Sequence, residues 1–372
     1  MRYLVFTNTP AHAHLYRNAV TELREQGHDV LVLARDYGCT VALLEYYDLP
    51  HEVYGRCETT KFSLVRRLPG HYVRIVRLAR SFDPDLIFGM GAYAAHAGAV
   101  TRTRTILVLD SEPTSVDHLI SQPFADALVT PAAFRKDLGA NHFVFDGFKE
   151  SAYLHPDVVE TDPTVRDALG VGDNPYVICR FNAFGSHHDV GQSGFSPAER
   201  ERLIEALSES ATVLVSDEGD EMDFDSVPAR PFDVHPARMH DALAGASLVV
   251  ADTQTIATEA ALLGTPTIRS NSFVGESDMG NFVELGEAGL LENLRETDAV
   301  LDLATEILAD PESKNRWRRR RDDYLAGTVN LSALLVELAL HPDTPGAVDG
   351  LRRRTAREGR TESPTEGLGV EP

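Results

Sequence analysis

Short apolar runs of strand length alternate with segments of helical periodicity along the first 150 residues. The strand-like runs are Tyr3–Phe6, Asp29–Leu33, His51–Val53, Leu86–Phe88, Thr105–Leu109, Ala127–Thr130 and His142–Phe145. Between them, Leu15–Glu25, Val41–Tyr47, Leu64–Ser81, Ala92–Val100 and Phe134–Leu138 repeat apolar residues every three or four positions, which predicts helices. Strands and helices alternating in this way build parallel βαβ units with helices on both faces of a sheet.

The segment His155–Pro163, with two prolines and several acids, reads as a linker, and the pattern restarts after it. Tyr176–Arg180, Thr212–Ser216, Arg230–Val234, Leu248–Ala251 and Thr267–Arg269 are the next strands; Pro197–Ser208, Met239–Gly245 and Ile256–Leu263 are the helices between them. One long helical stretch, Ala299–Leu340, follows, and a final helix around Pro311–Leu340 is expected to cross back to the first domain. The fold expected is α/β: two doubly wound, Rossmann-like domains, residues 1–154 and 164–340, with a cleft between the facing carboxyl ends of their strands. Residues 341–372, rich in Gly, Pro, Thr, Glu and Arg, are expected to be a disordered tail.

Charge sharpens this picture. The chain carries 57 acidic against 35 basic residues, a formal net charge of −22, and its lysines are Lys61, Lys136, Lys149 and Lys314. The acids are dispersed rather than blocked, as expected for a surface kept hydrated in a salt-loving host, where strong screening weakens self-repulsion. Broad nucleic-acid binding needs a basic face and is argued against. The cluster Arg316–Arg321 is short and isolated, and reads better as a helix face pairing with nearby acids. Cys39, Cys57 and Cys179 form neither a disulfide framework nor a zinc pattern. The chain opens directly on a strand and has no apolar run of membrane-spanning length, so a soluble, cytoplasmic protein is expected.

Candidate chemistry gathers at the ends of strands. After Ser247–Ala251 comes the polar turn Asp252-Thr253-Gln254-Thr255 and then a helix that Gly264 stops. Such a unit presents free backbone N–H groups to a phosphate, with Glu259 one turn in to hold sugar hydroxyls; an ordinary β–α–β repeat with a polar loop would look the same. After the first strand, Thr7–His14 runs into a helix, and His12 is a candidate general base, whereas His14 reads as a packing residue. Asp110 and Glu112, after Thr105–Leu109, are alternative bases, although Asp110 could equally cap a helix. In the loop after Tyr176–Arg180, Arg180 and His188 offer cations to a diphosphate, with Asp189 beside them. The pair His187-His188 with Asp189 could instead face a metal, but further ligands are missing, and no metal is expected.

These pieces together resemble DUF354, an archaeal and bacterial family of unknown function. The resemblance rests on Gln254-Thr255, Glu259-Ala260-Ala261, Leu263-Gly264-Thr265-Pro266, Ile268-Arg269 and Asn271–Gly275. It also rests on Pro10-Ala11-His12, Tyr153–Pro156 and His188-Asp189, and covers roughly residues 1–310. That family is similar to the GT-B glycosyltransferases and the UDP-N-acetylglucosamine 2-epimerases, so the resemblance implies a GT-B arrangement. Against the epimerases the chain departs at three places. Their Ser-Gly-Gly turn is Thr253-Gln254-Thr255 here, their His-Gly-Asp-Thr turn is Gly89-Met90-Gly91-Ala92, and their His-Arg is Cys179-Arg180.

The expected function is transfer of a sugar from a nucleotide sugar, a UDP-sugar, to a glycan or lipid-linked acceptor, with peripheral membrane contact. Glu259 would hold ribose, Arg180, His188, Thr253 and Thr255 the diphosphate, and Arg269 and Asn271 the sugar end. No cofactor is expected, because arginine and the helix end neutralise the phosphates. The alternatives are a nucleotide-sugar 2-epimerase with a rearranged site and a non-catalytic nucleotide-sugar-binding protein.

Overall fold

The computed structural model describes residues 1–56, 61–182, 194–219, 222–275 and 278–355. The first half runs β1 (Arg2–Thr7), α1 (Pro10–Glu25), β2 (Asp29–Asp36), α2 (Thr40–Tyr46), β3 (His51–Arg56), α3 (Lys61–Phe82) and β4 (Leu86–Gly89). It continues with α4 (Ala92–Thr101), β5 (Arg104–Val108), α5 (Ser115–Ser121), β6 (Ala127–Pro131), β7 (His142–Phe145), α6 (Ser151–Leu154) and α7 (Val165–Ala168). The second half runs β8 (Tyr176–Phe181), α8 (Pro197–Ser208), β9 (Thr212–Asp217), β10 (Arg230–Pro231), α9 (Met239–Gly245), β11 (Leu248–Ala251) and α10 (Gln254–Leu262). It ends with β12 (Thr267–Arg269), α11 (Gly280–Glu287), β13 (Glu292–Asn293), α12 (Thr297–Ala309), α13 (Ser313–Leu325), α14 (Leu331–Leu340) and β14 (Arg352–Arg353).

Two sheets result, ordered β14-β7-β6-β5-β4-β1-β2-β3 and β10-β9-β8-β11-β12-β13. All pairs are parallel except β14 with β7, so each half is a Rossmann-like doubly wound domain. The central strands are apolar on both faces because helices cover both. Tyr3, Leu4, Val5 and Phe6 are buried, as are Leu248, Val249, Val250 and Ala251. Strand order reverses between β1 and β4 in one sheet and between β8 and β11 in the other. At these points the flanking loops diverge and leave a crevice for a ligand.

The structure departs from the sequence expectation at several elements. Phe134–Leu138 is not helical. Its backbone is held by side chains instead: Arg135 N–H donates to Glu112 Oε1 and Leu138 N–H to His142 Nδ1. The strand expected over Arg230–Val234 is shortened to Arg230–Pro231 at the sheet edge, with one further ladder bond from Phe232 N–H to the Val215 carbonyl. Ala299–Leu340 is three helices, interrupted at Asp310-Pro311-Glu312 and again before Asn330, whose side chain accepts from Ala333 N–H to start α14.

The chain does cross back. Helix α14 packs on α1 and α6, Ser332 Oγ donates to the Ala152 carbonyl, and Tyr3 Oη donates to the Ala339 carbonyl. Residues 331–340 therefore lie against the first sheet rather than the second. Part of the expected disordered tail is structured: Val348 and Leu351 are buried and β14 extends the sheet at β7. The Arg316–Arg321 cluster serves helix docking. Arg316 pairs with Asp310, Arg321 donates to the Leu263 carbonyl, and the buried Trp317 indole donates to the Leu290 carbonyl.

His142, on β7, is almost wholly buried. Its Nδ1 accepts from Leu138 N–H and its Nε2 meets Thr130 Oγ1 at 2.9 Å, an arrangement that suits the neutral ring. Burial, aided by the Arg354 cation, pulls its pKa down to about 4. The unfolded chain therefore takes up this proton first, near pH 6.5, so the contribution is complete above that pH and fades as pH falls toward 4. We expect His142→Gln to flatten the loss of stability between pH 6 and pH 4.5 by about 1.4 kcal/mol per pH unit. Urea unfolding at several pH values reads this; parallel curves for the two proteins would contradict it.

Candidate functional site

The first crevice is framed by the loop after β1. Asn8 is fixed on three sides: its Oδ1 accepts from Tyr54 Oη at 2.8 Å, its carbonyl from Arg35 Nε at 3.0 Å, and its N–H donates to His12 Nδ1 at 3.2 Å. That last bond changes the role expected of His12. With Nδ1 occupied as an acceptor, the neutral ring carries its proton on Nε2 and presents a donor, not a basic lone pair. Burial and the cations Lys149 and Arg35 lower its pKa to about 3, with Asp110 opposing, so the ring is neutral at physiological pH.

Asp110 stands beside it as the carboxylate of the crevice. Lys149 Nζ donates to Asp110 Oδ2 at 2.5 Å and lies 3.5 Å from Glu150 Oε1. Lys149 is buried, and its carboxylate neighbours hold its pKa up against that burial. Glu150 is raised by burial, with Lys149 opposing. The Asp110 side chain is 21% exposed, so a substrate can reach it. Glu112 is placed otherwise. Its Oε1 accepts from Arg135 N–H and its Oε2 from Gly280 N–H at the start of α11, so it fastens the two halves together rather than serving as a base.

The second crevice lies at β8 and β11. Here Asn182 N–H donates to Asp252 Oδ1 at 2.7 Å and Asp252 N–H to the Arg180 carbonyl. Arg180 itself reaches Ser216 Oγ and pairs with Glu218. Three buried polar atoms at these adjacent strand ends have no hydrogen-bond partner among the described residues: Arg180 Nε, Asp252 Oδ2 and Thr253 Oγ1. Burial raises the Asp252 pKa to about 7, with the Asn182 N–H opposing. Thr253 begins α10, and Gln254 and Thr255, both half-buried, form its first turn.

Glu259, expected to hold ribose, is 3% exposed. Its Oε1 accepts from Tyr153 Oη at 2.7 Å and lies 3.2 Å from His240 Nε2. His14 packs edge-on to His240 and against Tyr153, as a packing residue should. Burial raises the Glu259 pKa, but His240, Tyr153 and Lys149 together bring it below the ordinary carboxylate value. Helices α1 and α6 from one half and α9 and α10 from the other meet through this cluster.

Arg269 does not line the sugar end. It is fully buried, bound to Asp278 at 2.7 and 3.1 Å and to Asn293 Oδ1 at 2.8 Å, with its guanidinium 3.7 Å over the Phe282 ring. Asn271 holds its own loop, donating to the Asp252 carbonyl and accepting from Phe273 N–H, while one side of it faces a cavity of about 320 Å³. His188 and Asp189 lie outside the described residues. Sequence reasoning missed Lys149, Glu150, Tyr153, His240 and Asp252 as members of the site.

Two Rossmann-like domains facing each other across polar strand ends define the class to which this protein belongs. Within it, the chain belongs to the family described as "Protein of unknown function (DUF354)", which it matches over residues 3–325. An uncharacterised protein of Methanocaldococcus jannaschii is 23% identical over 284 residues, covering 72% of this chain and 80% of its own. Among solved structures, the UDP-N-acetylglucosamine 2-epimerase of Neisseria meningitidis bound to UDP-GlcNAc has a TM-score of 0.64 at 14% identity. That match covers 92% of this chain and 100% of the other. The spinosyn forosaminyltransferase has a TM-score of 0.62 at 14% identity, over 92% and 100% of the two chains. At these identities the likeness establishes the fold.

Proposed function

We propose that the protein binds a UDP-sugar at the carboxyl ends of β8 and β11 and transfers the sugar to a hydroxyl of a glycan or lipid-linked acceptor. The observation that carries the reading is that Arg180 Nε and Thr253 Oγ1, two buried donors at these adjacent strand ends, have no partner among the described residues. Each such donor costs about 1–3 kcal/mol while it lacks a partner, and diphosphate oxygens would accept from both. The free first-turn N–H groups of α10 add further donors, and the helix end favours negative charge. Glu259 keeps Oε2 for the ribose hydroxyls.

In the transfer, Asp110 takes the acceptor proton while Lys149 holds it in place. The acceptor oxygen forms a bond to the anomeric carbon, and the bond from that carbon to the diphosphate oxygen breaks. Donors around α10 stabilise the charge that develops on the leaving group. His12 Nε2–H donates to the acceptor or the sugar.

Calorimetry with UDP, UDP-GlcNAc and UDP-glucose tests the binding step. UDP is expected to bind, and Thr253→Val to weaken it by about 1–3 kcal/mol. No heat with any uridine nucleotide would refute the reading. Proton NMR of UDP-GlcNAc without acceptor distinguishes the reactions, because inversion at C2 would identify an epimerase instead.

A further inference from the structure

Six of the eight large apolar side chains exposed among the described residues come from one stretch of surface, α3 to the turn after α5. They are Val73, Val100, Val116, Leu119, Ile120 and Phe124, and the first, third and fourth are 72%, 74% and 73% exposed. The elements that carry them are laterally continuous. Tyr72 Oη on α3 meets His96 Nδ1 on α4 at 2.8 Å, His96 Nε2 meets the Ile120 carbonyl at 2.9 Å, and the His96 ring packs edge-on to Phe124. A single histidine thus joins three helices into one face.

The charge of this face inverts that of the molecule. In a chain of net charge −22, residues 61–82 hold six cations and no carboxylate, and residues 92–101 hold no carboxylate either. Arg66, Arg74, Arg77 and Arg80 are exposed on α3, the last three at three-residue spacing beside the exposed Val73. Arg74 makes a loose contact with Glu52 at 3.8 Å, and Arg77 and Arg80 have no ion-pair partner among the described residues. The one carboxylate of α5, Asp117, turns inward to accept from Ala92 N–H.

We propose that the α3–α4–α5 face docks on the surface of an anionic lipid bilayer. Basic side chains beside projecting apolar ones are what the headgroup region accepts: the arginines meet lipid phosphates while Val73, Val116 and Leu119 enter the acyl boundary. The rest of the protein is acidic and is repelled within a Debye length of such a surface, so only this face can approach and the orientation is fixed. A second copy of the chain fits the face less well, because a two-fold axis there would set the α3 arginines against one another. No helix among the described residues is long and apolar enough to cross a membrane, so the contact is peripheral. Docking needs no nucleotide and stands apart from the nucleotide-sugar reading.

Vesicle flotation of the full chain tests the proposal, with phosphatidylcholine vesicles that contain or lack phosphatidylglycerol. The protein is expected to float with the anionic vesicles and to stay at the bottom of the gradient with the neutral ones. Arg77→Glu/Arg80→Glu should reduce binding at least tenfold, since each arginine near an anionic surface contributes about fivefold. Val116→Glu/Leu119→Glu should reduce it to a similar degree, with thermal transitions unchanged because all four side chains are exposed. Absence of flotation, or flotation that both variants retain, would overturn the proposal. So would a dimer in sedimentation equilibrium that Val116→Glu/Leu119→Glu converts to monomer.

Discussion

Asp110→Asn is expected to lower the rate of sugar transfer by about 10²–10⁴-fold, the usual contribution of a general base, while leaving UDP bound. The substitution keeps a carbonyl oxygen for Lys149 Nζ, now 2.5 Å from Asp110 Oδ2, and removes only the ability to take a proton. His12 cannot substitute for it, because its Nδ1 is occupied by Asn8 N–H and its pKa is down near 3. Glu112 cannot either, because both its oxygens accept from backbone N–H groups. His12→Ala should therefore cost less, about tenfold, the worth of one donated hydrogen bond. Product formation from a UDP-sugar at saturating acceptor, alongside calorimetric UDP binding, separates the two roles. If His12→Ala were the more severe of the two, the ring would have to be the base, and the tautomer read from Asn8 would be wrong.

Much of this fold was legible because buried parallel strands are apolar on both faces. Leu248–Ala251 and Tyr3–Phe6 announce themselves as short continuous runs, and the alternation with helices then leaves few topologies. Candidate sites at strand ends were legible for the same reason. His12, Asp110 and Thr253 follow strands directly, and a strand's carboxyl end is where a doubly wound sheet binds. What stayed hidden depends on contacts between the two halves. Glu259 is held by Tyr153, 106 positions away, and by His240, and no local pattern reports such a partner. Lys149 did carry a signal, since lysine is scarce in this chain and one that persists next to Glu150 needs a reason. Phe134–Leu138 shows the opposite failure. Its periodicity is helical, but Glu112 and His142 accept its backbone N–H groups and the helix loses to the tertiary contacts. In the tail, Val348 and Leu351 are buried and β14 pairs with β7, in a segment whose composition suggested no order.

Arg269→Met is expected to destabilise the protein by about 3–5 kcal/mol, the range for breaking a buried ion pair by removing one partner. Arg269 ends β12, which suggests a side chain aimed at a ligand, but α11 closes over it and the guanidinium is fully buried. It ties four elements: its own strand, Asp278 before α11, Phe282 within α11 and Asn293 on β13. Methionine fills similar space but leaves Asp278 buried without its cation. Asp278→Leu should be damaging for the mirror reason, stranding the arginine. The double variant Arg269→Met/Asp278→Leu should lose less than the sum, because neither charge is then left alone, with a coupling of about 0.5–3 kcal/mol. Urea unfolding of the four proteins measures that coupling. UDP and UDP-sugar affinities of Arg269→Met, taken well below its transition, should stay within about twofold of the parent. A large loss of sugar-nucleotide affinity in a stably folded Arg269→Met would return this arginine to the ligand, and a strictly additive cycle would deny that the pair acts as a unit.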